Sequence, residues 1–342
     1  MPNRHSTLTS LFVDIADSIR SKTGDSAKIK ADDFDTAIEA IQTGGGGETV
    51  ELSVTQNGTY VPDEGTTYSK VSVNVPQTVA SGTVKALLDA TQSCYYLFYH
   101  CKRAKVEGLI SYSDTSNVTN MSNMFYYCEN IATIPQLDTS KVTNMGSMFN
   151  SCYSLTSVPQ LDTSNVTYMA SMFYNCSMLT TIPKFNTSKV TNMASMFQYC
   201  SSLTTLPQLD TSNVTNMSNT FQYCSSLTTI PQFDTSKVSN MYYLFQNCTS
   251  LTTIPPIDVS KVTNTYYMFG GCTSLKSILM QGMKVSFDIH ASTKFEESDL
   301  VTILNNLATV TSKQTLTMGA TNLAKLTDDE KAIATNKGWT LK

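Results

Sequence analysis

Leu155–Met178 reads LTSVPQLDTSNVTYMASMFYNCSM; Leu179–Ser202 follows as LTTIPKFNTSKVTNMASMFQYCSS, and Leu203–Ser226 as LTTLPQLDTSNVTNMSNTFQYCSS. The three stretches are one pattern with a period of 24 residues. A period in this range marks a unit that cannot bury its apolar face alone and does so by stacking on its neighbours. The acid position runs Asp114, Asp138, Asp162, Asn186, Asp210, Asp234 and Asp258, which makes seven units over residues 114–278, the first without its own L-x-x-I-P start. Cys128, Cys152, Cys176, Cys200, Cys224, Cys248 and Cys272 recur with the same step. They are one structural position repeated, not a disulfide framework.

Each unit has two parts. The segment L-x-x-[IVL]-P-x-[LFI] is short and extended, and its proline removes a ladder donor, so the strand must be brief. The second part carries apolar residues at spacings of three and four, as in Val142, Met145, Met148, Phe149 and Cys152. That spacing predicts one buried face of a short helix, with the Asp-Thr-Ser stretch before it as the start signal. The expected fold is an α/β solenoid of 24-residue strand–turn–short-helix coils.

The flanks read as separate modules. Residues 1–43 carry two apolar helical stripes: Leu8, Leu11, Phe12, Ile15 and Ile19, then Phe34, Ala37, Ile38 and Ile41. They predict a helical attachment or oligomerisation module, a hairpin too small to be stable without a partner. Residues 44–47 are a glycine linker. Residues 48–77 alternate as a small antiparallel β module, with Asn57-Gly58 as a tight turn and Pro62 to Gly65 as a loop. Residues 78–113 echo the unit through Cys94-Tyr95-Tyr96-Leu97-Phe98-Tyr99-His100-Cys101 and are expected to form a degenerate capping coil. Residues 279–342 form a globular C-terminal cap. It has a helix near 299–308, presenting Leu300, Ile303, Leu304 and Leu307, and a second one opened by the capping box Thr327 to Glu330.

Composition narrows the function classes. The chain has 342 residues, 41% hydrophobic but only 15% charged, with a net charge of −4. About a quarter charged is usual, so polarity here rests on Thr, Ser, Asn and Gln. No basic stripe is present to neutralise phosphates, which argues against nucleic acid as a partner. No apolar run is long enough for a membrane span. No apolar segment follows Met1-Pro2-Asn3-Arg4-His5-Ser6, so no signal peptide is expected at this end. His5, His100 and His290 stand outside any catalytic spacing, and no nucleophile, zinc or nucleotide motif occurs. An enzyme is not expected, and no cofactor is implied.

Three columns admit two readings each. The aspartates cap the following turn, the favoured reading, or form a Ca²⁺ ladder, with Lys141, Lys189, Lys237 and Lys261 offsetting their repulsion. The cysteines pack as buried thiols, the favoured reading, or pair between coils. The tyrosines form an outward binding surface or pack over neighbouring coils. Tyr126, Tyr127, Tyr174, Tyr199 and Tyr223 follow the repeat phenylalanine, and Tyr242, Tyr243, Tyr266 and Tyr267 precede it. Tyrosine offers an apolar face and a hydroxyl at low entropic cost, which suits a sugar or a protein surface.

The unit DTSNVTNMSNMFYYC…LTTIPQL resembles the BspA-like leucine-rich repeat of bacterial surface proteins over residues 114–278, and Thr321 to Trp339 resembles the tail that follows such repeats in gut Firmicutes and their phages. Ile15-Ala16-Asp17-Ser18-Ile19-Arg20-Ser21-Lys22-Thr23-Gly24 and Asn57 to Gly65 look like the opening of tail or fibre proteins of phages of Gram-positive hosts. The resemblance implies a leucine-rich-repeat-like solenoid on a virion. The solenoid would bind a host cell-surface glycan or protein, and the N-terminal module would bind other virion proteins, with a homo-oligomer, a trimer by preference, as the assembly. The alternatives are a bacterial cell-surface adhesin and a structural virion decoration protein without a receptor.

Overall fold

The structure is a computed structural model that describes residues 115–342, apart from Asn117 and Pro135, together with the backbone of three strands nearer the N-terminus. The helical stripes of residues 1–43, the glycine linker, the loop at residues 62–65 and the Cys94–Cys101 segment lie outside the described residues. Strands β1 (Val50–Tyr60) and β2 (Thr66–Val75) pair antiparallel, as the alternation requires. Asn57-Gly58 is not their turn: Asn57 pairs with Ser69 and Gly58 with Tyr68 inside the ladder, just past a register shift after Val54. The bulge lies between Val54 and Asn57, and the pair that sequence assigns to a turn continues the strand beyond it. Lys85–Leu88, assigned above to a capping coil, is a third strand, β3, antiparallel to β2.

The repeats stack as a solenoid, with one corrected feature. Among the described residues of the repeats no helix forms; the second half of each coil is a run of tight turns. Its backbone bonds account for the difference. In the second unit the N–H groups of Met145, Ser147, Phe149 and Ser151 donate to Tyr168, Ala170, Met172 and Tyr174 of the next coil, at 2.7–3.0 Å. The N–H groups of Met148, Asn150 and Cys152 close local turns three residues back, and that of Gly146 donates to the Asn144 side chain. A helix would spend all of these donors internally and leave the coil unable to bond its neighbour.

The alternation needs two left-handed residues per coil. They are Asn123, Ser147, Ser171, Ser195, Asn219, Tyr243 and Tyr267 in one column, and Tyr127, Ser151, Asn175, Tyr199, Tyr223, Asn247 and Gly271 in the other. Each non-glycine costs about 1 kcal/mol or more, offset by the bond between coils and by the burial those bonds permit.

The extended half is also sparser than a strand. Thr156, Thr180, Thr204, Thr228, Thr252 and Lys276 each send one N–H to the preceding coil. Only the last two coils pair regularly there, as the parallel strands β4 (Thr253–Asp258) and β5 (Ser277–Gln281).

The core is a set of columns. Val142, Met145, Met148, Phe149, Cys152 and Leu155 have no measurable exposure, and their equivalents in the other coils are buried likewise, the polar Thr220 and Thr265 among them. Phe125, Phe149, Phe173, Phe197, Phe221, Phe245 and Phe269 stack face to face at 5.4–5.9 Å. The seven repeat cysteines are free and buried. From Cys152 onward each thiol donates to the phenylalanine carbonyl of the preceding coil, as Cys176 Sγ does to Phe149 O at 3.0 Å. Burial pushes these thiols up, that of Cys272 to about 12.

The cap closes the C-terminal end. Helix α1 (Glu297–Asn306) buries Leu300, Ile303 and Leu304, as its periodicity predicts. Helix α3 (Asp328–Thr335) starts at the expected capping box, where the Glu330 carboxylate accepts the Thr327 N–H at 2.7 Å. Sequence reading did not foresee helix α2 (Ala320–Leu323), nor the parallel sheet of β6 (Phe287–Asp288), β7 (Gln314–Thr317) and β8 (Trp339–Leu341). Trp339 is the pin: its ring meets Phe287 edge-on at 6.0 Å and its Nε1–H donates to Ala308 O at 2.8 Å.

Candidate binding face

The run of turns fixes what each coil presents outward. With the methionine and phenylalanine columns turned inward, the two left-handed residues and their neighbours point away from the core. Those positions hold the tyrosines singled out from sequence. Tyr223, Tyr266 and Tyr267 are exposed, whereas Tyr126, Tyr127, Tyr174, Tyr199, Tyr242 and Tyr243 are half-buried against one another. The tyrosines therefore pack over neighbouring coils, as one sequence reading has it, and still reach the surface.

The rings form three linked groups. Tyr174 meets Tyr199 edge-on at 5.6 Å, and Tyr199 stacks on Tyr223 at 4.7 Å. Further along, Tyr242 stacks on Tyr266 at 5.7 Å, and Tyr243 lies 5.7 Å from Tyr267. Tyr126 and Tyr127 belong to the first coil, at 5.0 Å from each other. Sequence reading missed two members. Tyr153 meets Tyr127 edge-on at 6.5 Å, and Tyr168 stands exposed over Gly146, where a side chain would collide with its ring. Both sit off the repeat positions of the other tyrosines, so periodicity did not single them out. Beside the rings, the amides of Gln198, Gln222 and Gln246 bond to one another from coil to coil.

From the second coil to the sixth this face carries no formal charge; in the first, Glu129 stands at the position of Tyr153. The sequence holds no Asp, Glu, Lys or Arg between Val142 and Leu161, Val166 and Pro183, Val190 and Leu209, Val214 and Phe233, or Val238 and Ile257. Partial burial and then the neighbouring rings push Tyr174 up, and a hydrogen bond with Tyr242 does the same for Tyr243.

The charge lies along a second feature, a groove at the Asp-Thr-Ser corner that the sequence reading did not foresee. Its larger part measures about 1100 Å³ and its continuation toward the first coils about 440 Å³. Asp210, Asp234, Asp258, Gln208 and Gln232 line the larger part.

Most of these groups are already engaged. Asp138, Asp162, Asn186, Asp210, Asp234 and Asp258 each accept the N–H of the serine two residues on, at 2.8–3.2 Å. The Ser164 N–H holds Asp162 below the usual carboxylate range, and the Ser212, Ser236 and Ser260 hydroxyls and N–H groups do so for Asp210, Asp234 and Asp258. This is the capping geometry, applied to a turn in place of a helix. Thr139, Thr187, Thr211 and Thr235 are buried and donate to the carbonyl of the next Asp, at 2.7–2.8 Å. Gln136, Gln160 and Gln208 donate to the next coil's backbone at 2.6–2.9 Å. Among the described residues no group of three or more His, Cys, Asp or Glu is placed to hold a metal.

His290 lies in the cap, exposed, with Nδ1 2.6 Å from Asp288 Oδ1. Its own N–H donates to the same oxygen at 2.8 Å, so the pair closes a local turn.

The stacked coils, the buried Leu, Val, Met, Phe and Cys columns and the exposed aromatic face define a leucine-rich-repeat-type solenoid of the BspA-like kind. The chain belongs to the family described as "Mycoplasma protein of unknown function, DUF285", which matches residues 92–205 and again residues 178–283. No curated protein matches the chain. Among solved structures it is similar to a leucine-rich repeat protein of T. pallidum, at 18% identity over 61% of this chain and 84% of that one, with a TM-score of 0.33. It is also similar to an internalin from Listeria monocytogenes, at 15% identity over 64% and 77%, with a TM-score of 0.27. Neither likeness bears on what this chain binds. Among the described residues no helix is long and apolar enough to cross a membrane.

Proposed function

We propose that the chain is a non-catalytic adhesion protein whose solenoid holds a bacterial cell surface through the tyrosine face. The observation that carries this reading is the coil-to-coil tyrosine array from Tyr174 to Tyr267, half-buried in part and exposed at Tyr223, Tyr266 and Tyr267, and fixed in place by the backbone bonds between coils. Rigid aromatic side chains lose little entropy when a ligand settles on them. Repetition along the solenoid lets weak contacts add by multivalency.

The setting we favour is a phage tail or fibre, supported by the resemblance of Ile15 to Gly24 and Asn57 to Gly65 to the openings of such proteins. The N-terminal segment would then join the particle and assemble the chain as a homotrimer. A second reading, an adhesin on the bacterial surface itself, is supported by the family match, which is to Mycoplasma proteins.

Two experiments test the reading. Fluorescent full-length chain is applied to a panel of Gram-positive gut bacteria, and saturable binding to at least one strain is expected. Failure on every strain contradicts the adhesion role. Antibody against the chain is then used to label phage particles and bacterial surfaces in turn. Labelled tails support the virion setting, and labelled cell walls support the second.

A further inference from the structure

We infer that the ligand of the tyrosine face is an uncharged polysaccharide, laid along the solenoid axis across several coils. This rests on the adhesion reading above and names the chemistry it recognises.

The first observation is electrostatic. The face presents phenols, amides and hydroxyls over five successive coils without a charged residue, while the repeat aspartates from Asp138 to Asp258 and Lys184 line the groove at the other corner. An anionic wall polymer, a nucleic acid or a charged peptide finds no counter-charge there. The second observation is the lining. Among the described residues the large apolar side chains that stand exposed are Tyr168, Tyr223, Tyr266, Tyr267 and Met178, with no Leu, Ile, Val or Phe among them. The fully buried core of a stable protein interface is more apolar than the surface around it, and here each exposed apolar side chain but Met178 carries a hydroxyl. A ring of hydroxyls needs donors and acceptors beside an aromatic edge; the Tyr199–Tyr223 stack supplies the edge and the phenol hydroxyls, with the half-buried Gln198 and Gln246 beside it, while Gln222 is buried between them. The third is direction: the Tyr199–Tyr223 and Tyr242–Tyr266 stacks step from one coil to the next, so a ligand that covers both rings of a stack lies along the axis.

The test uses the full chain and bacteria to which it adheres. Three fractions of their surface are prepared: neutral polysaccharide, phosphate-containing wall polymer and surface protein. The neutral fraction should bind the chain and block its adhesion to cells, equally at low and near-molar salt, because no ion pair is there to be screened.

The variant Tyr266→Ser with Tyr267→Asn gives these positions the residues that Ser218 and Asn219 already supply in an earlier coil, so the fold accommodates them. It should weaken binding of the neutral fraction about tenfold. Binding carried by the wall-polymer fraction and lost in salt, or carried by the protein fraction, overturns the ligand class while leaving adhesion standing. Absence of adhesion to any cell removes the adhesion reading, and this inference with it.

Discussion

The two long faces of the solenoid treat residue identity differently. At the groove corner Asp-Thr-Ser recurs seven times, with only Asn186 and Val259 departing from it. On the turn face one position reads Ser122, Gly146, Ala170, Ala194, Ser218, Tyr242 and Tyr266, and the next reads Asn123, Ser147, Ser171, Ser195, Asn219, Tyr243 and Tyr267. At the corner the identities follow bonds, Thr163 apart: the acid holds a serine N–H, and the threonine holds the next coil's carbonyl. On the turn face only a left-handed backbone is required, and the side chain is free to vary. Regularity marks the surface the chain uses to bond itself, and variety marks the surface left for something else. The larger cavity is thus explained by the fold, and the flatter tyrosine face is not.

Both faces rest on the phenylalanine ladder, so the largest expected effect lies there. Phe197 stacks between Phe173 and Phe221 at 5.7 and 5.8 Å. Phe197→Ala should cost about 3–5 kcal/mol in urea unfolding. A smaller loss would mean that the columns do not carry the stability.

The corner is next. Thr211→Val strands the Asp234 carbonyl and should cost about 1–3 kcal/mol. Thr163 is equally buried, but its hydroxyl has no partner, so Thr163→Val should be neutral or stabilising. Equal effects at the two sites would break the claim that corner identity follows from its bonds.

Acid sensitivity is a gentler probe of the same corner. Asp162, Asp210, Asp234 and Asp258 are held below the usual carboxylate value in the folded chain. Their contribution is present above the unfolded value, about 4, and is lost as pH falls through the lower folded values. The melting temperature should drop below about pH 4, and less steeply when these residues are replaced by Asn, as Asn186 already stands in the column. The smallest effect belongs to the turn face. Tyr199→Asn and Tyr223→Asn copy Asn175 and Asn247, suit a left-handed backbone, and should change stability by no more than about 0.5 kcal/mol each in the same urea titration.

The period, the columns, the capping role of the aspartates, the cap helices and the outward tyrosines are all legible in sequence, because each is a local rule repeated. The helix in each coil was misread for a physical reason. Apolar residues three and four apart, such as Met145, Met148, Phe149 and Cys152, face one way in a helix and equally in a chain of successive turns. What separates the two is the destination of the N–H groups, and here it is another coil, 23 residues on for Met145 and Phe149. A signal was nonetheless present. Asn and Ser hold most of the two left-handed columns, with Gly271 at the end, and Asn and Gly are the residues that tolerate that conformation best. The groove and the parallel sheet around Trp339 depend on how distant segments meet, and no local pattern announces them. Asn57-Gly58 shows the converse: a strong turn dipeptide overridden by a longer strand pairing.

The most direct test of the central claim sets the faces against each other in one assay. Full-length chain, the Tyr199→Asn/Tyr223→Asn variant and the Asp210→Asn/Asp234→Asn variant are titrated onto the same adherent bacteria. Loss of about tenfold or more in affinity for the tyrosine variant, with the aspartate variant unchanged, is the result the tyrosine face predicts. Retained binding by the tyrosine variant alongside loss by the aspartate variant would contradict it and move the binding site to the groove.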